Sequence, residues 1–202
     1  MKINFNTNRL IRPSKIVVLC LLVAPLVVAV LRYLTDQWGA NRIEGFIIDT
    51  GNWGIRWLII TMAISPIREI FGWNWLIIFR RPIGLAAFYY LCVHFFIYLY
   101  LDFGFDLGMI INDLLTSSYV TVGFIGFVLL APLAITSTQD WIRRLGKRWR
   151  LLHRLAYLAL IMGLIHYFLQ VKIIGFQLWL YIIISVLLLG YRGLSFLWRR
   201  RI

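Results

Sequence analysis

The sequence predicts an all-α integral membrane protein, a single domain over residues 1–202 in which six transmembrane helices form a bundle with both termini cytoplasmic. Three observations predict it. Of the 202 residues, 61% are hydrophobic and 14% charged, with a mean hydropathy of +0.82, a balance that a water-soluble domain has no reason to keep. Apolar runs long enough to cross about 30 Å of hydrocarbon recur near 16–34, 46–64, 83–101, 117–136, 152–170 and 174–192. Lysine and arginine alternate between the connections, which gives each run its direction.

The first run follows Lys2, Arg9, Arg12 and Lys15, with Pro13 just ahead of it. Its basic start and the triplet Val27-Val28-Ala29 also suit a cleaved signal peptide, but the stretch is long and five runs follow, so it reads as an uncleaved helix. In the second run Asp49, Asn52 and Arg56 recur at i, i+3 and i+7, near one face that should meet protein rather than lipid. They suit a satisfied structural stripe, a quinone pocket or a proton path. Pro66 follows this run and Pro82 opens the third, where a missing N–H costs least. Pro132, near the end of the fourth run, predicts a kink.

The first connection balances Arg42 against Asp36 and Glu44, the second is basic with Arg68, Arg80 and Arg81, and the third is acidic with Asp102, Asp106 and Asp113. The fourth runs from Thr136 through Arg154 and holds Arg143, Arg144, Lys147, Arg148, Arg150 and Arg154, a capped, basic interfacial turn. The fifth offers only Lys172, and the tail ends in Arg199, Arg200 and Arg201. By the positive-inside rule the even connections and both termini face the cytoplasm, as in a bacterial inner membrane.

Several function classes drop out. The net charge of +13 sits in short clusters between apolar runs rather than along one face, so it sets orientation and does not imply nucleic acid. Cys20 and Cys92 lie far apart within apolar runs, which supports neither a disulfide framework nor a cysteine-rich metal site. No HExxH, P-loop, GxGxxG turn or nucleophile elbow occurs, and six spans leave no length for a separate soluble catalytic domain. Neither an internal repeat nor a low-complexity segment is evident on reading along the chain.

Three histidines carry the functional reading. If the third and fifth helices both run outward, His94 lies 13 residues past Arg81 and 8 before Asp102, about 20 Å and 12 Å along the axis. His166 lies 16 past Arg150 and 6 before Lys172, about 24 Å and 9 Å by the same rise. Two imidazoles at one level in the outer half of the membrane are what a six-coordinate haem iron needs, so His94 and His166 read as axial ligands of a b-type haem. The competing reading is a hydrogen bond from each to a neighbouring helix. Gly84, Ala86 and Ala87 on one helix and Ala156, Ala159 and Gly163 on the other would admit a flat macrocycle, though they equally suit close helix packing.

His153 sits three residues past Arg150 near the inner surface, about 20 Å along the helix from His166 and some 140° around an ideal one. It is a candidate ligand for a second haem or an interfacial polar residue, and the third helix offers Arg80 and Arg81 at its level rather than a histidine. These two arginines, with Arg148 and Arg150, are candidate grips for haem propionates, a flavin phosphate or a lipid headgroup, against a purely topogenic role.

The stretch Arg80-Arg81-Pro82-Ile83-Gly84-Leu85-Ala86-Ala87-Phe88 ahead of His94 resembles the third-helix signature of the MsrQ family, also called YedZ. Ile64-Ser65-Pro66, Leu133-Ala134-Ile135-Thr136-Ser137-Thr138 and Leu145-Gly146-Lys147-Arg148-Trp149, leading to His153 and His166-Tyr167, are similar too. The likeness spans roughly residues 45 to 175, and it extends more distantly to the ferric reductase and NADPH oxidase membrane domain. It implies a haem-bearing subunit that passes electrons from the quinone pool, or from a cytoplasmic flavin reductase, to a periplasmic molybdopterin partner that reduces methionine sulfoxide in oxidised proteins. It also implies haem b, one or two, with His94, His153 and His166 on the family's histidine positions, and FMN, for which the chain shows no motif of its own. Ferric reductases usually carry two histidines on the third helix and this chain has one.

Other readings remain open on sequence alone. A small transporter or proton channel would use Asp49, Arg56 and the histidines as its intramembrane polar groups. A bare membrane anchor would leave the histidines structural. Only the redox relay predicts a Soret band.

Overall fold

The computed structural model describes residues 7–173 and 175–198, with side chains described within 16–195. Lys2 and Arg199, Arg200 and Arg201, counted above for orientation, lie outside the described residues. Nine α-helices follow in order among them: α1 (Thr7–Leu34), α2 (Arg42–Phe71), α3 (Ile77–Ile97), α4 (Leu107–Thr116), α5 (Ser118–Ile135), α6 (Gln139–Leu145), α7 (Lys147–Leu152), α8 (Leu155–Gln170) and α9 (Phe176–Trp198). Backbone groups in hydrocarbon must bond within their own segment, which is why the long apolar runs are helical throughout.

Among the described residues five stretches are long and apolar enough to cross a membrane: Ile16–Leu34, Asn74–Asp102, Ser118–Ile135, Lys147–Gln170 and Phe176–Ser195. The chain is a multi-pass membrane protein. The helix α2 is the longest at 30 residues, about 45 Å at 1.5 Å per residue, but it is not among the five because Asp49, Asn52 and Arg56 dilute its apolar run.

The tightest pairs are α2 with α3 and α5 with α8, and contacts of α3 with α5 and of α2 with α8 close these four into a ring. Outside it, α1 packs on α2 and α3, and α9 on α2 and α8. Ile55, Leu58, Met62, Ala87, Leu130, Leu133, Ala159 and Leu160 are buried in one cluster where the four helices meet. Glycine lets the pairs close up. A Cβ on Gly54 would lie 2.7 Å from Leu91 Cδ2, and one on Gly126 would lie 3.2 Å from Met162 Cβ.

The prolines depart from the expected boundaries. Pro66 lies inside α2, which continues to Phe71 and ends on Gly72 in the left-handed region at φ 71°. Pro82 is the sixth residue of α3 rather than its opening one, and Pro13 lies within α1. Neighbouring helices relieve the backbone groups that a proline frees, so a membrane helix runs on where a soluble one would stop. Through Pro132, α5 continues to Ile135, and the Pro132 carbonyl accepts from both Thr136 N at 3.0 Å and Thr136 Oγ1 at 2.6 Å.

The fourth connection is two short helices, α6 and α7, and the Thr138 side chain caps α6 by accepting from Trp141 N at 3.3 Å, as the sequence suggested. Trp149 Nε1 donates to the Thr136 carbonyl at 2.9 Å and ties α7 back to the end of α5. The third connection holds α4, which the sequence reading left as a loop. Its N-cap is Asp106, whose side chain accepts from Met109 N at 3.0 Å.

Candidate functional site

His94 stands near the end of α3 and His166 near the end of α8, and the structure brings them together. Their ring centroids are 6.1 Å apart and their planes cross at 83°. Each ring is pinned on one nitrogen. His94 Nδ1 lies 2.8 Å from the Ile47 carbonyl on α2, and His166 Nδ1 lies 2.7 Å from the Tyr119 carbonyl on α5. A carbonyl can only accept, so Nδ1 carries the proton in both rings and Nε2 is left as the basic atom. That is the arrangement by which a metal-ligating histidine has its tautomer and ring plane set by a backbone partner.

The room for the rings comes from two glycines. A Cβ on Gly51 would lie 3.0 Å from both Nδ1 and Cε1 of His94, and one on Gly123 would lie 2.6 Å from His166 Nδ1. No other residue lets helix backbone and imidazole edge approach this closely. The two rings border a cavity of about 590 Å³ at the centre of the four-helix ring, walled by Ile55 and Leu58 of α2, Leu91 and Phe95 of α3, Val120, Phe124 and Phe127 of α5, and Ala159 and Gly163 of α8. Most of its wall is apolar, and Glu44, Asn52, Tyr98, Asp102, Tyr119, Tyr167 and Gln170 are the polar residues other than the two histidines that border it.

A macrocycle with two axial nitrogens fits these residues. Two metal–nitrogen bonds of about 2 Å and two ring radii of about 1 Å separate imidazole centroids by about 6 Å, and 6.1 Å is found. Zinc does not fit, since a catalytic zinc wants three protein ligands and no group of three His, Cys, Asp or Glu converges among the described residues.

Not all the residues singled out from sequence reach this cavity. Ala159 and Gly163 line it, but Gly84, Ala86 and Ala87 do not: Gly84 faces Thr61, Ala86 packs beside the cluster of Leu22, Ile64, Phe79 and Ile83, and Ala87 is buried between helices. His153, Arg80, Arg81, Arg148 and Arg150 are also absent from its lining. His153 closes α7 in a turn at residues 153–154, so it does not continue the α8 spiral and the 140° offset of an ideal helix does not apply. Its ring stacks on Trp149 with centroids 3.8 Å apart, its Nδ1 meets the Trp149 carbonyl at 3.1 Å, and its Nε2 is buried without a hydrogen-bond partner. Arg80 Nη1 donates to Ser65 Oγ at 3.2 Å, while Arg81, Arg148 and Arg150 are exposed.

The polar stripe of α2 divides. Asn52 lines the cavity; Asp49 pairs with Arg32 of α1 at 4.0 Å; Arg56 stacks over Trp53 at 4.7 Å and donates from Nε to Tyr181 Oη of α9 at 2.5 Å. Asp49, Trp53, Arg56 and Trp57 also line a second cavity, of about 630 Å³, against Leu21, Pro25 and Arg32 of α1.

Sequence reading missed Gly51, Gly123 and the cover made by α4. Ile110 and Leu114 of α4 line the cavity, and Tyr98 Oη holds the helix by donating to Asp113 Oδ2 at 2.9 Å. The spacing Leu107, Ile110, Ile111, Leu114 after a capping aspartate was the available signal. Tyr98→Phe should loosen this cover by about 1 kcal/mol, seen as faster amide exchange over residues 107–116. Unchanged exchange there would count against the role of Tyr98.

Comparison with known proteins places the chain in a family. The family model for the ferric reductase like transmembrane component matches residues 50–164. Among similar proteins, each named protein-methionine-sulfoxide reductase heme-binding subunit MsrQ, one from Herminiimonas arsenicoxydans is 50% identical over 135 residues, covering 66% of this chain and 62% of its own length. One from Rhodospirillum rubrum is 46% identical over 156 residues, covering 77% and 74%, and one from Rhizobium meliloti is 40% identical over 185 residues, covering 85% of each. The chain thus spans a little under two thirds of the first of these relatives and more of the others. With the family match extending from within α2 to within α8, over more than half of the chain, the chain belongs to the ferric reductase-like transmembrane family and, within it, to the MsrQ family.

Proposed function

We propose that this chain is the membrane electron-transfer subunit of a methionine sulfoxide repair system, holding a b-type haem between His94 and His166. The observation that carries the reading is the pair of imidazoles 6.1 Å apart, each with Nδ1 committed to a backbone carbonyl and Nε2 left basic. When bound, haem supplies a one-electron ferric/ferrous couple. The chain supplies the two ligands, fixes their planes, and excludes water through the apolar wall from Ile55 to Phe127. In this reading α2 is the sixth span, both termini are cytoplasmic, and the membrane is the bacterial inner membrane.

Electrons enter from quinol or from a cytoplasmic flavin reductase and leave to a periplasmic molybdopterin-containing reductase, where each sulfoxide takes up two electrons and two protons to give methionine and water. The cavity beside α1 supports quinol entry, because it combines the aromatic rings of Trp53 and Trp57 with the hydrogen-bonding groups of Asp49 and Arg56. His153 with Arg80, Arg81, Arg148 and Arg150 is the candidate set for a second haem or for the phosphate of FMN.

The test is optical. Purified full-length protein should show a low-spin Soret band, and a colourless preparation from haem-replete cells would overturn the reading. His153→Ala should keep that band, losing at most part of the haem. In membranes a quinol analogue should reduce the haem; reduction only by a flavin reductase would move the entry point to the cytoplasmic face.

A further inference from the structure

The two halves of the site match in a way that reading along the chain does not reveal. His94 Nδ1 meets the carbonyl of the residue 47 positions earlier, and so does His166 Nδ1. Gly51 follows Ile47 by four residues and Gly123 follows Tyr119 by four, and each glycine faces its own histidine ring. Gly54 and Gly126 repeat the pattern one turn on: an added Cβ would lie 3.7 Å from the carbonyl oxygen of Ala87 in one case and 3.7 Å from that of Ala159 in the other. Each pair is separated by 72 positions, 123 against 51, 126 against 54, 159 against 87 and 166 against 94. Ser65 and Ser137, Leu58 and Leu130, and Phe96 and Phe168 fall in the same register without a gap.

The packing obeys the same rule. Mapping α2 onto α5 and α3 onto α8 turns the pair α2–α3 into α5–α8, and turns the contact of α3 with α5 into that of α8 with α2, both of which exist. A map that swaps the two pairs and keeps the same helices in contact is what a two-fold arrangement of the four helices requires. Both pairs enter and leave the bundle in the same sense, so its axis runs along the helices.

The 72-position register makes Gly51 and Gly123 equivalent, and we propose that they are positioning residues that hold each imidazole on its carbonyl and so set the crossed ring planes. The role toward haem rests on the function proposed above; the register itself does not. The register also pairs Arg81 with His153, so at the inner level the second copy carries an imidazole where the first carries a guanidinium.

The experiment uses the full chain, purified in detergent with its haem, as wild type, Gly51→Ala, Gly123→Ala, His94→Ala and, as a control in open space, Gly190→Ala. The readouts are haem content, the ferric low-spin electron paramagnetic resonance spectrum, and the midpoint potential. Wild type and Gly190→Ala should give the signal of crossed imidazole planes, whose largest g value exceeds that of parallel planes. Gly51→Ala and Gly123→Ala should each shift that g value and raise the potential, because a ring pushed off its carbonyl is a less basic ligand. Wild-type g values and potentials in both variants would overturn the positioning role, and a change in only one would overturn the equivalence. If either variant loses its haem, its haem-free melting is compared with that of His94→Ala: equal melting supports the loss of a ring pose, and lower melting makes the glycine a packing residue and overturns the proposal. A full low-spin spectrum in His94→Ala would instead defeat the underlying functional reading.

Discussion

Replacing either His94 or His166 by alanine removes the low-spin haem spectrum. In the proposed reading each supplies one of two axial nitrogens, and losing one would leave the iron five-coordinate and high-spin or the pocket without its cofactor. The fold should survive, because the partners of the two rings are carbonyls of Ile47 and Tyr119, within α2 and α5. Haem quantitation and visible spectra on detergent-purified variants read the outcome. Full retention of the low-spin spectrum in both would show that the rings hold something else.

A larger effect on stability is expected at Gly54 and Gly126. A side chain at Gly54 would begin 2.7 Å from Leu91 Cδ2, and at Gly126 it would begin 3.2 Å from Met162 Cβ, a backbone-anchored atom that cannot swing aside. Valine at either position should force its helix pair apart and cost about 1–3 kcal/mol, read as a lower melting temperature in detergent of protein without haem. Gly175→Val, where a Cβ meets nothing within 4 Å, should not show this loss. Equal melting of the Gly54 and Gly126 variants with wild type would mean that the pairs are not closed on glycine.

The histidine pairing was legible because charges at the helix ends act as rulers: Arg81 and Asp102 bracket His94, and Arg150 and Lys172 bracket His166. Depth can be counted along one helix. What faces what cannot, and Gly51 and Gly123 were missed because their partner rings lie 43 residues further along the chain. The helix α4 was missed because ten residues cannot span hydrocarbon, and a search for spans passes over a short helix lying across the bundle's end. Pro66 misled because a proline limit learned from water-exposed helices does not hold inside a packed membrane helix. At His153 the sequence reading of an ideal spiral stops short, because residues 153–154 form a turn between α7 and α8. The 72-position register escaped because few residues are identical between the two halves, and the telling ones, Gly51 and Gly123, Gly54 and Gly126, and His94 and His166, mean something only through the contacts they make.

The thin cover over the site has a consequence for the outward path. Ile110 and Leu114 of α4 line the cavity while Leu107, Ile111 and Leu115 on the same helix are exposed, so a single helix, about 10–12 Å across, separates the cavity from the protein surface there. If the chain works as the proposed electron relay, an acceptor centre brought against that face would be separated from the cavity by this one helix and would need no gate to open.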